Sequence, residues 1–228
     1  MKILYEDNHL IAVEKPVNIP VQEDASGDKD LFTMVKEDIK ERYQKPGNVY
    51  LGLIHRLDRP VGGVIVFAKT SKAASRMSDL IRRQDLEKHY TAVVRGVPEP
   101  PQGRKTDYLY KDRQKNQVYA VDKSHEEAKK AVLDYRLAGT SGGLSLVQIQ
   151  LETGRSHQIR VQMAELGVPL YGDQKYGSRV NKPGEQIALW STEMGFTHPV
   201  KKEWVSITSR PPDEDPWNIF YDAGMLHR

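Results

Sequence analysis

The sequence predicts an α+β fold built on a mixed, largely antiparallel β-sheet. Several segments alternate apolar and polar residues and are joined by short turn sequences, which is typical of β-hairpins. Three other segments have apolar residues spaced three or four apart, as amphipathic helices do. Hairpins with a few interspersed helices favour the α+β class, and the chain has no internal repeat or low-complexity tract.

The N-terminal segment predicts a short hairpin followed by a helix. In "ILYEDNHLIAVEKP", strands at 3–5 and 10–14 flank a polar turn, and a polar loop follows over 16–30. The spacing of apolar residues in "DLFTMVKEDIKERYQ" predicts an amphipathic helix. Asp30 is suited to be its N-cap, because a carboxylate accepts hydrogen bonds from the first N–H groups of a helix.

The next segments predict a buried strand, a helix and a second strand. "GGVIVFAKT" is a continuous apolar run bounded by Gly and Thr, which is typical of a strand buried on both faces. "SKAASRMSDLIRR" has one apolar helical stripe, with Thr70 or Ser71 as the N-cap. "KHYTAVVRG" alternates as a strand and ends at Gly96.

Two hairpins and a short helix complete the predicted elements. The polar, basic stretch over 104–124 has strand-like pieces around 108–110 and 118–121, which predicts a projecting hairpin. "AVLDYRLAG" and "LSLVQIQLE" are alternating strands separated by a Thr-Ser-Gly-Gly turn. "HQIRVQMAELG" predicts a short helix with Gly167 at its C-terminal end.

Composition excludes several classes of protein and site. The 228 residues are 38% hydrophobic and 29% charged, and no run approaches the roughly 20 apolar residues of a membrane span. The chain has no cysteine, which excludes disulfides, thiolate catalysis and Cys-based zinc sites. Its seven histidines lack metal-binding spacing, and no Walker A, G-x-S-x-G or G-x-G-x-x-G motif is present. We therefore expect no metal and, without a signal-peptide pattern, a cytoplasmic location.

Positive charge is concentrated in the middle of the chain. Residues 1–50 hold 7 Lys/Arg against 10 Asp/Glu, whereas residues 51–130 hold 17 against 10. A basic middle between acidic ends favours binding of a polyanion. A solvated surface of mixed charges is the alternative interpretation of this pattern.

The stretch "IHRLDRPVGG" places a single carboxylate between two arginines. In an extended segment Arg56 and Asp58 share one face, with His55 and Leu57 opposite. An aspartate beside arginine stays ionised at neutral pH, so Asp58 is suited to act as a nucleophile or electrostatic stabiliser. A local salt bridge that ties a loop to a strand would have the same residues.

Two other features could also carry chemistry or be structural. In "LETGRSHQIR", Arg155, His157 and Arg160 come at the start of a helix, where cations and backbone N–H groups can bind a phosphate or carboxylate. A charged turn is the alternative. Tyr90 shares a strand face with small apolar residues, so it is either a core residue or a stacking surface for a flat ligand.

Taken in order, several of these segments resemble the RluA-like family of RNA pseudouridine synthases. The resemblance covers residues 3–208 and includes the opening "LIAVEKPVNIPV" and the closing "ALWSTEMGFTHPVKKEW". Its central segments are "HRLDRPVGGVIVFAKT", "EKHYTAVVRG" and "LETGRSHQIRVQMAELGVPLYGDQKYG". The resemblance implies a single catalytic domain with a long, bent mixed sheet flanked by helices and loops. It also implies isomerisation of uridine to pseudouridine in RNA, without a cofactor or metal.

The resemblance implies a role for each candidate catalytic residue. Asp58 would be the catalytic aspartate, Tyr90 would stack on the flipped uracil, and Arg160 would pair with the Asp58 carboxylate. The carboxylate could attack the sugar C1′ or the uracil C6, or assist a glycal-forming elimination. Each route needs an ionised Asp58.

Five further residues are predicted to contact RNA: His55, Arg56, Arg59, Arg155 and His157. Arg56 would enter the base stack and hold the target nucleotide out, since guanidinium planes stack on bases. Such insertion would offset the few kcal/mol that flipping a base costs.

The chain departs from the family pattern in two places. It has "PVGG" where the family often has a Thr-Ser-Gly triplet, and "VNIPVQED" where a His-Pro pair is frequent. The family's frequent N-terminal RNA-binding domain is expected to be missing. We therefore expect a catalytic domain over 1–210, with a basic hairpin over 102–128 for target recognition, and an acidic tail over 211–228.

The leading hypothesis is an enzyme that modifies a folded stem-loop of ribosomal or transfer RNA. A catalytically inactive RNA-binding or RNA-chaperone protein on the same scaffold is the alternative. An unrelated RNA enzyme such as a methyltransferase is disfavoured, because no glycine-rich nucleotide loop is present. We expect a monomer that binds neither DNA nor membranes.

Overall fold

The computed structural model describes residues 1–227, within which there are four α-helices and eleven β-strands. The helices are α1 (Leu31–Arg42), α2 (Ser71–Arg82), α3 (Gln158–Glu165) and α4 (Asn218–Asp222). The strands are β1 (Lys2–Glu6), β2 (Leu10–Lys15), β3 (Gly52–Leu53), β4 (Gly62–Ala68), β5 (Glu87–Arg95), β6 (Gln102–Asp112), β7 (Gln117–Val121), β8 (Lys129–Ser141), β9 (Leu144–Leu151), β10 (Leu189–Thr197) and β11 (Trp204–Thr208). Strands pair mostly with antiparallel neighbours, so the predicted α+β class is confirmed. None of the helices in this part of the chain has the length and apolar character that crossing a membrane requires.

The chain forms two compact units. The first contains residues 1–87 and 191–210, and the second contains residues 88–190 and the segment from Pro211 onward. The predicted catalytic domain over 1–210 stays a prediction. Each unit has its own strands and its own buried residues.

In the first unit, strands β1, β2, β4 and β10 are neighbours in that order, with β3 pairing β4 and β11 pairing β10. All seven residues of β4 are buried, as the continuous apolar run predicts. Val64 and Val66 of β4 pack in one cluster with Ala73 and Met77 of α2 and Phe196 of β10. Burial of apolar surface, at about 25 cal/mol per Å², is the main force that holds α2 against these strands.

Both predicted helix caps in this unit are confirmed. Asp30 Oδ1 accepts a hydrogen bond from Thr33 N at 2.9 Å, at the start of α1. Thr70 Oγ1 accepts one from Ala73 N at 3.2 Å, at the start of α2. Caps are readable from sequence because they depend on residues only three positions apart.

Gly63 is required where β4 approaches β10. Its φ is +110°, and a Cβ at this position would lie 2.2 Å from the carbonyl oxygen of Ser191. A backbone atom that close cannot give way without moving a strand. The second glycine of "PVGG" therefore has a packing function that any larger residue would lose.

We expect Gly63→Ala to lower the free energy of unfolding by about 2 kcal/mol, because it adds both a disfavoured φ and a clash with backbone. Gly47→Ala is the matched control, since a Cβ there meets nothing within 4 Å and φ is not positive. Urea denaturation of both variants measures the difference. Equal stability of the two variants would contradict this account of Gly63.

In the second unit, strands β5, β9, β8, β6 and β7 are neighbours in that order. The two predicted hairpins are confirmed as β6–β7 and β8–β9, although β6 begins earlier and is longer than the predicted piece at 108–110. The predicted helix over "HQIRVQMAELG" is α3, and Gly167 follows it with φ +82°. One face of α3 packs on this sheet, where Val161 belongs to one buried cluster with Leu109, Val118 and Ala131.

The C-terminal segment belongs to the second unit and contains α4, which the sequence patterns did not predict. Trp217, Phe220 and Tyr221 are buried, and the Tyr221 hydroxyl donates to the Pro211 carbonyl at 2.6 Å. The segment predicted as an acidic tail thus includes buried apolar residues as far as Tyr221, while residues 222–227 are exposed or partly exposed and residue 228 lies outside the described residues. Its acidic charges are concentrated before the helix, at 213–215.

Candidate active site

The loop that carries Asp58 is held by a buried lysine at the end of β2. Lys15 is fully buried, and its Nζ donates to the carbonyl oxygens of Pro16 and Arg59 at 2.9 Å and of Val61 at 2.8 Å. All three ammonium donors are therefore used. The bonds to the Arg59 and Val61 carbonyls fix the backbone on either side of Pro60, close in sequence to Asp58.

Lys15 also interacts electrostatically with Asp58. Burial lowers the pKa of Lys15 to about 7, whereas the charge of Asp58 raises it and that of Arg59 lowers it further. A buried cation of this kind needs a nearby anion, because desolvation of an unpaired charge is costly. Sequence analysis quoted this lysine within "LIAVEKP" but assigned it no role.

The side chains of the loop point to different environments. Leu57 is buried, whereas Arg56 is exposed and Asp58 is partly exposed. His55 faces β4, where its Nε2 accepts a hydrogen bond from Val66 N at 3.0 Å. This bond gives His55 a part in anchoring the loop, and its predicted contact with RNA stays a prediction.

Arg59 is held by a neighbouring acidic loop. Its Nη1 donates to Ser26 Oγ at 2.8 Å and lies 3.5 Å from Asp24 Oδ2, and its Nη2 pairs with Asp28. These carboxylates raise the pKa of the guanidinium, with the Asp28 hydrogen bond the largest contribution. Any RNA phosphate at Arg59 would compete with two aspartates, so the predicted RNA contact of Arg59 also stays a prediction.

In the second unit, the turn before α3 is fixed by two buried polar residues. Thr153 Oγ1 accepts from Val132 N at 2.8 Å and donates to Gln158 Oε1 at 2.8 Å. Gln158 Oε1 also accepts from Arg155 N at 3.0 Å, while its Nε2 donates to the Val132 carbonyl at 3.1 Å. The Thr and Gln of "TGRSHQIR" therefore attach this turn to β8.

His157 immediately precedes α3 and has a left-handed backbone, with φ +50°. Its Nδ1 lies 2.7 Å from the Tyr176 hydroxyl, which accepts a hydrogen bond from Val118 N at 2.9 Å. This network favours the tautomer in which the Tyr176 proton is donated to Nδ1 and Nε2 carries the imidazole proton. His157 is then a hydrogen-bond donor at Nε2, and its predicted contact with RNA stays a prediction.

We expect Tyr176→Phe to lower the free energy of unfolding by about 1–3 kcal/mol, because the Val118 N–H and His157 Nδ1 lose their partner. Tyr119→Phe on β7, next to Val118, is the control, since no hydrogen bond of the Tyr119 hydroxyl is present within residues 1–227. Thermal and urea unfolding of the two variants provide the comparison. A Tyr119→Phe variant as destabilised as Tyr176→Phe would contradict this account of the network.

Arg160 forms a buried bidentate ion pair within its own unit. Its Nε and Nη2 donate to Asp173 Oδ2 and Oδ1 at 2.7 and 2.9 Å, and its guanidinium lies 5.2 Å from the Tyr176 ring. Asp173 also accepts from the backbone N–H groups of Lys175 and Tyr176 at 2.9 and 3.1 Å. Sequence analysis missed Asp173 as a partner, although it lies in the quoted "YGDQKYG".

Tyr90 lies in the middle of β5, opposite Ile149 of β9, and is 8% exposed. This burial agrees with the interpretation of Tyr90 as a core residue. Stacking on a base would use the small part of the residue that is exposed. The predicted meeting of Asp58 with Tyr90 and Arg160 stays a prediction.

The chain is similar in sequence to known RNA pseudouridine synthases, in agreement with the motifs described above. Residues 9–165 match the RNA pseudouridylate synthase family. The chain is 30% identical over 225 residues to ribosomal large subunit pseudouridine synthase D of Zymomonas mobilis, covering 94% of this chain and 70% of that protein. It is 30% identical over 221 residues to tRNA pseudouridine synthase C of Vibrio cholerae, covering 89% of this chain and 88% of that protein.

A solved structure shows a similar fold. The structure of human RNA pseudouridylate synthase domain containing 4 has a TM-score of 0.77 and 23% identity, over 92% of this chain and 88% of that one. The matched family range includes the Asp58 loop, Tyr90 and the whole of α3. With these motifs present in order and the fold shared, the chain belongs to the RNA pseudouridylate synthase family, in its RluA-like branch.

Proposed function

We propose that this protein isomerises specific uridines to pseudouridine in ribosomal or transfer RNA, with Asp58 as the catalytic carboxylate. The observation that carries the proposal is the Asp58 loop itself, which a buried cation fixes on both sides of its turn. Burying a lysine side chain at this position is costly unless a nearby carboxylate stays charged. Family membership supplies the reaction, and the loop supplies a partly exposed carboxylate for it.

The reaction breaks the bond between uracil N1 and ribose C1′, and it forms a bond between uracil C5 and C1′. The proton on C5 leaves to solvent, and N1 gains a proton, so no redox step or leaving group is required. An aspartate can promote bond breaking by attack on C1′, by attack on C6 or by assisting elimination. All three routes require an anionic side chain, which the Asp58 loop supplies.

Arg160 and Tyr90 have supporting roles in the proposal. Asp173 accepts hydrogen bonds from Nε and Nη2 of Arg160, and this bidentate pair would hold the guanidinium plane still. In the proposal, Arg160 also interacts with the catalytic carboxylate of Asp58. Tyr90 would contact the uracil ring by stacking, which tolerates the turning of the base.

RNA recognition in the proposal combines insertion and phosphate binding. Arg56 is exposed and is suited to enter the base stack in place of the flipped nucleotide. The β6–β7 hairpin is at the end of the strand order in its unit. It carries cationic residues, among them Lys111, Arg113 and Lys115. The relatives' names point to ribosomal and transfer RNA as the two substrate classes to test first.

Tritium release tests the proposal. Ribosomal and transfer RNA from a strain that lacks this protein, labelled with tritium at uracil C5, is incubated with the purified protein. We expect release of tritium to water and a pseudouridine at a discrete position in one RNA class. Binding of both RNA classes without tritium release would overturn the proposal and favour a non-enzymatic RNA-binding protein.

Several properties stay predictions: catalysis without a cofactor or metal, a monomeric state, the absence of DNA and membrane partners, and a cytoplasmic location.

A further inference from the structure

Three cations of the second unit surround the turn that precedes α3. Lys88 is on β5, Lys111 is on β6, and Arg155 is in the turn itself. Lys111 Nζ lies 3.4 Å from Ser156 Oγ, and Arg155 Nε donates to the Lys130 carbonyl at 3.0 Å. We call Lys88, Lys111 and Arg155 the turn cations.

Lys88 is the least exposed of the turn cations. Its side chain is half-buried and lies against the backbone of the turn, because a Cβ added at Gly154 would be 3.6 Å from Lys88 Nζ. The Lys88 ammonium therefore lies close to the backbone of the turn at Gly154. Lysine usually extends its ammonium into water, so a half-buried position needs a reason.

The turn cations have no acidic partner. Within residues 1–227, no carboxylate forms an ion pair with Lys88, Lys111 or Arg155. Burial lowers the pKa of Lys88, and the charge of Arg155 lowers it further. Like charges held together at a cost to the folded protein are typical of a site that binds an anion.

Lys88 also has a fixed relation to Tyr90. The two residues are two positions apart on β5, so their side chains leave the same face of the strand. Their Cα atoms are separated by about 6.6–6.8 Å, which follows from the rise of a β-strand. This separation is of the order of the length of one nucleotide, so a base at Tyr90 would place a neighbouring backbone phosphate near Lys88.

We infer that Lys88 and Arg155, with Lys111 beside them, bind the RNA phosphodiester next to the uridine that contacts Tyr90. The inference rests on the proposed function and assigns a phosphate-binding role to Lys88, which sequence analysis had not singled out. A phosphodiester fits these groups, because its two non-bridging oxygens can accept hydrogen bonds from a cation on β5 and from another in the turn.

Salt dependence of RNA binding tests the inference without any need for turnover. Binding of a short, mixed-sequence, fluorescein-labelled single-stranded RNA is measured between about 50 and 200 mM salt for wild type and Lys88→Met. Losing one phosphate contact should reduce the slope of log K against log salt by about 0.7 and weaken binding several-fold at low salt. The matched control is Lys40→Met, which removes an exposed lysine of α1 and should leave both quantities unchanged. The inference is overturned if Lys88→Met behaves as Lys40→Met does.

Thermal unfolding separates ligand binding from a structural role. Removing Lys88 relieves a half-buried charge and its repulsion by Arg155, so Lys88→Met should unfold at the same temperature as wild type or a higher one. A lower Tm together with weaker RNA binding would assign Lys88 a structural role and overturn the inference. Competition with inorganic phosphate distinguishes the source of the anion. If inorganic phosphate binds in a Lys88-dependent way while RNA binding does not depend on Lys88, the site takes a free phosphate and not RNA.

Neutral linkages test the position of the phosphate. In an RNA that the wild type modifies, one methylphosphonate beside the modified uridine should raise the KM of wild type and leave that of Lys88→Met unchanged. An equal rise for both proteins would overturn the placement beside Tyr90. Failure of the proposed function would show as absent tritium release by wild type, whereas failure of this inference would show as an unchanged salt slope, so the two failures are distinguishable.

Discussion

Asp58→Asn should abolish pseudouridine formation, with a loss of at least about a thousandfold in kcat, while RNA binding stays within a few-fold of wild type. Asparagine keeps the size of the side chain and removes the charge that each proposed route needs. The loop should keep its position, because the Lys15 hydrogen bonds go to backbone carbonyls and burial lowers the pKa of Lys15 to about 7, so this lysine can lose a proton when the charge of Asp58 is removed and still donate two of the bonds. Tritium release and fluorescence anisotropy measure the two quantities on the same RNA.

The control for this experiment is Asp79→Asn on the surface of α2. Asp79 pairs with Arg82 and Arg83 in an exposed part of the helix, so its loss should leave kcat unchanged. Circular dichroism should confirm that both variants are folded. Pseudouridine formation by Asp58→Asn at a rate within tenfold of wild type would refute the role of Asp58, whereas inactivity of both variants would point to damaged protein.

Elements whose signals are local could be predicted from the sequence. The caps of α1 and α2 depend on contacts within three residues, and the β8–β9 hairpin depends on alternation around one turn. The strands β10 and β11 could not be predicted in the same way. β10 is "LWSTEMGFT", in which buried and partly exposed residues occur in blocks without alternation. Its extended form is stabilised by pairing with strands that are distant along the chain.

The candidate site shows the same division. Asp58 and Arg155 are apparent because charged residues stand out in a short segment. The role of Lys15 depends on carbonyls 44 and 46 residues away, and no local pattern shows that a lysine at the end of a strand is buried. The family resemblance also predicts Asp58 as the partner of Arg160. It does not predict the Arg160–Asp173 ion pair, which lies within one unit.

The second prediction concerns that pair: Asp173→Asn should lower the free energy of unfolding by about 3–5 kcal/mol. Arg160 is 6% exposed and Asp173 is fully buried, so the variant leaves a guanidinium in the interior without its counter-charge. Asp134→Asn is the control, because the Arg104–Asp134 pair is exposed and such pairs contribute at most about 1 kcal/mol. Urea denaturation at neutral pH compares the two variants, and equal losses would show that burial of the Arg160–Asp173 pair is unimportant.

The pH dependence of this loss has a defined sign. Burial raises the pKa of Asp173, but the hydrogen bonds and charge of Arg160 outweigh it and hold the pKa below its ordinary value. Stability from Asp173 is therefore complete above the unfolded-state value of about 3.9, and it decreases as the pH falls through the folded-state pKa. Because the asparagine cannot titrate, the gap in stability between wild type and Asp173→Asn should narrow below about pH 4. A gap that stays constant from neutral to acidic pH would mean that Asp173 binds its proton equally well in the folded and unfolded protein, and the Arg160 pair would then not favour the ionised form of Asp173.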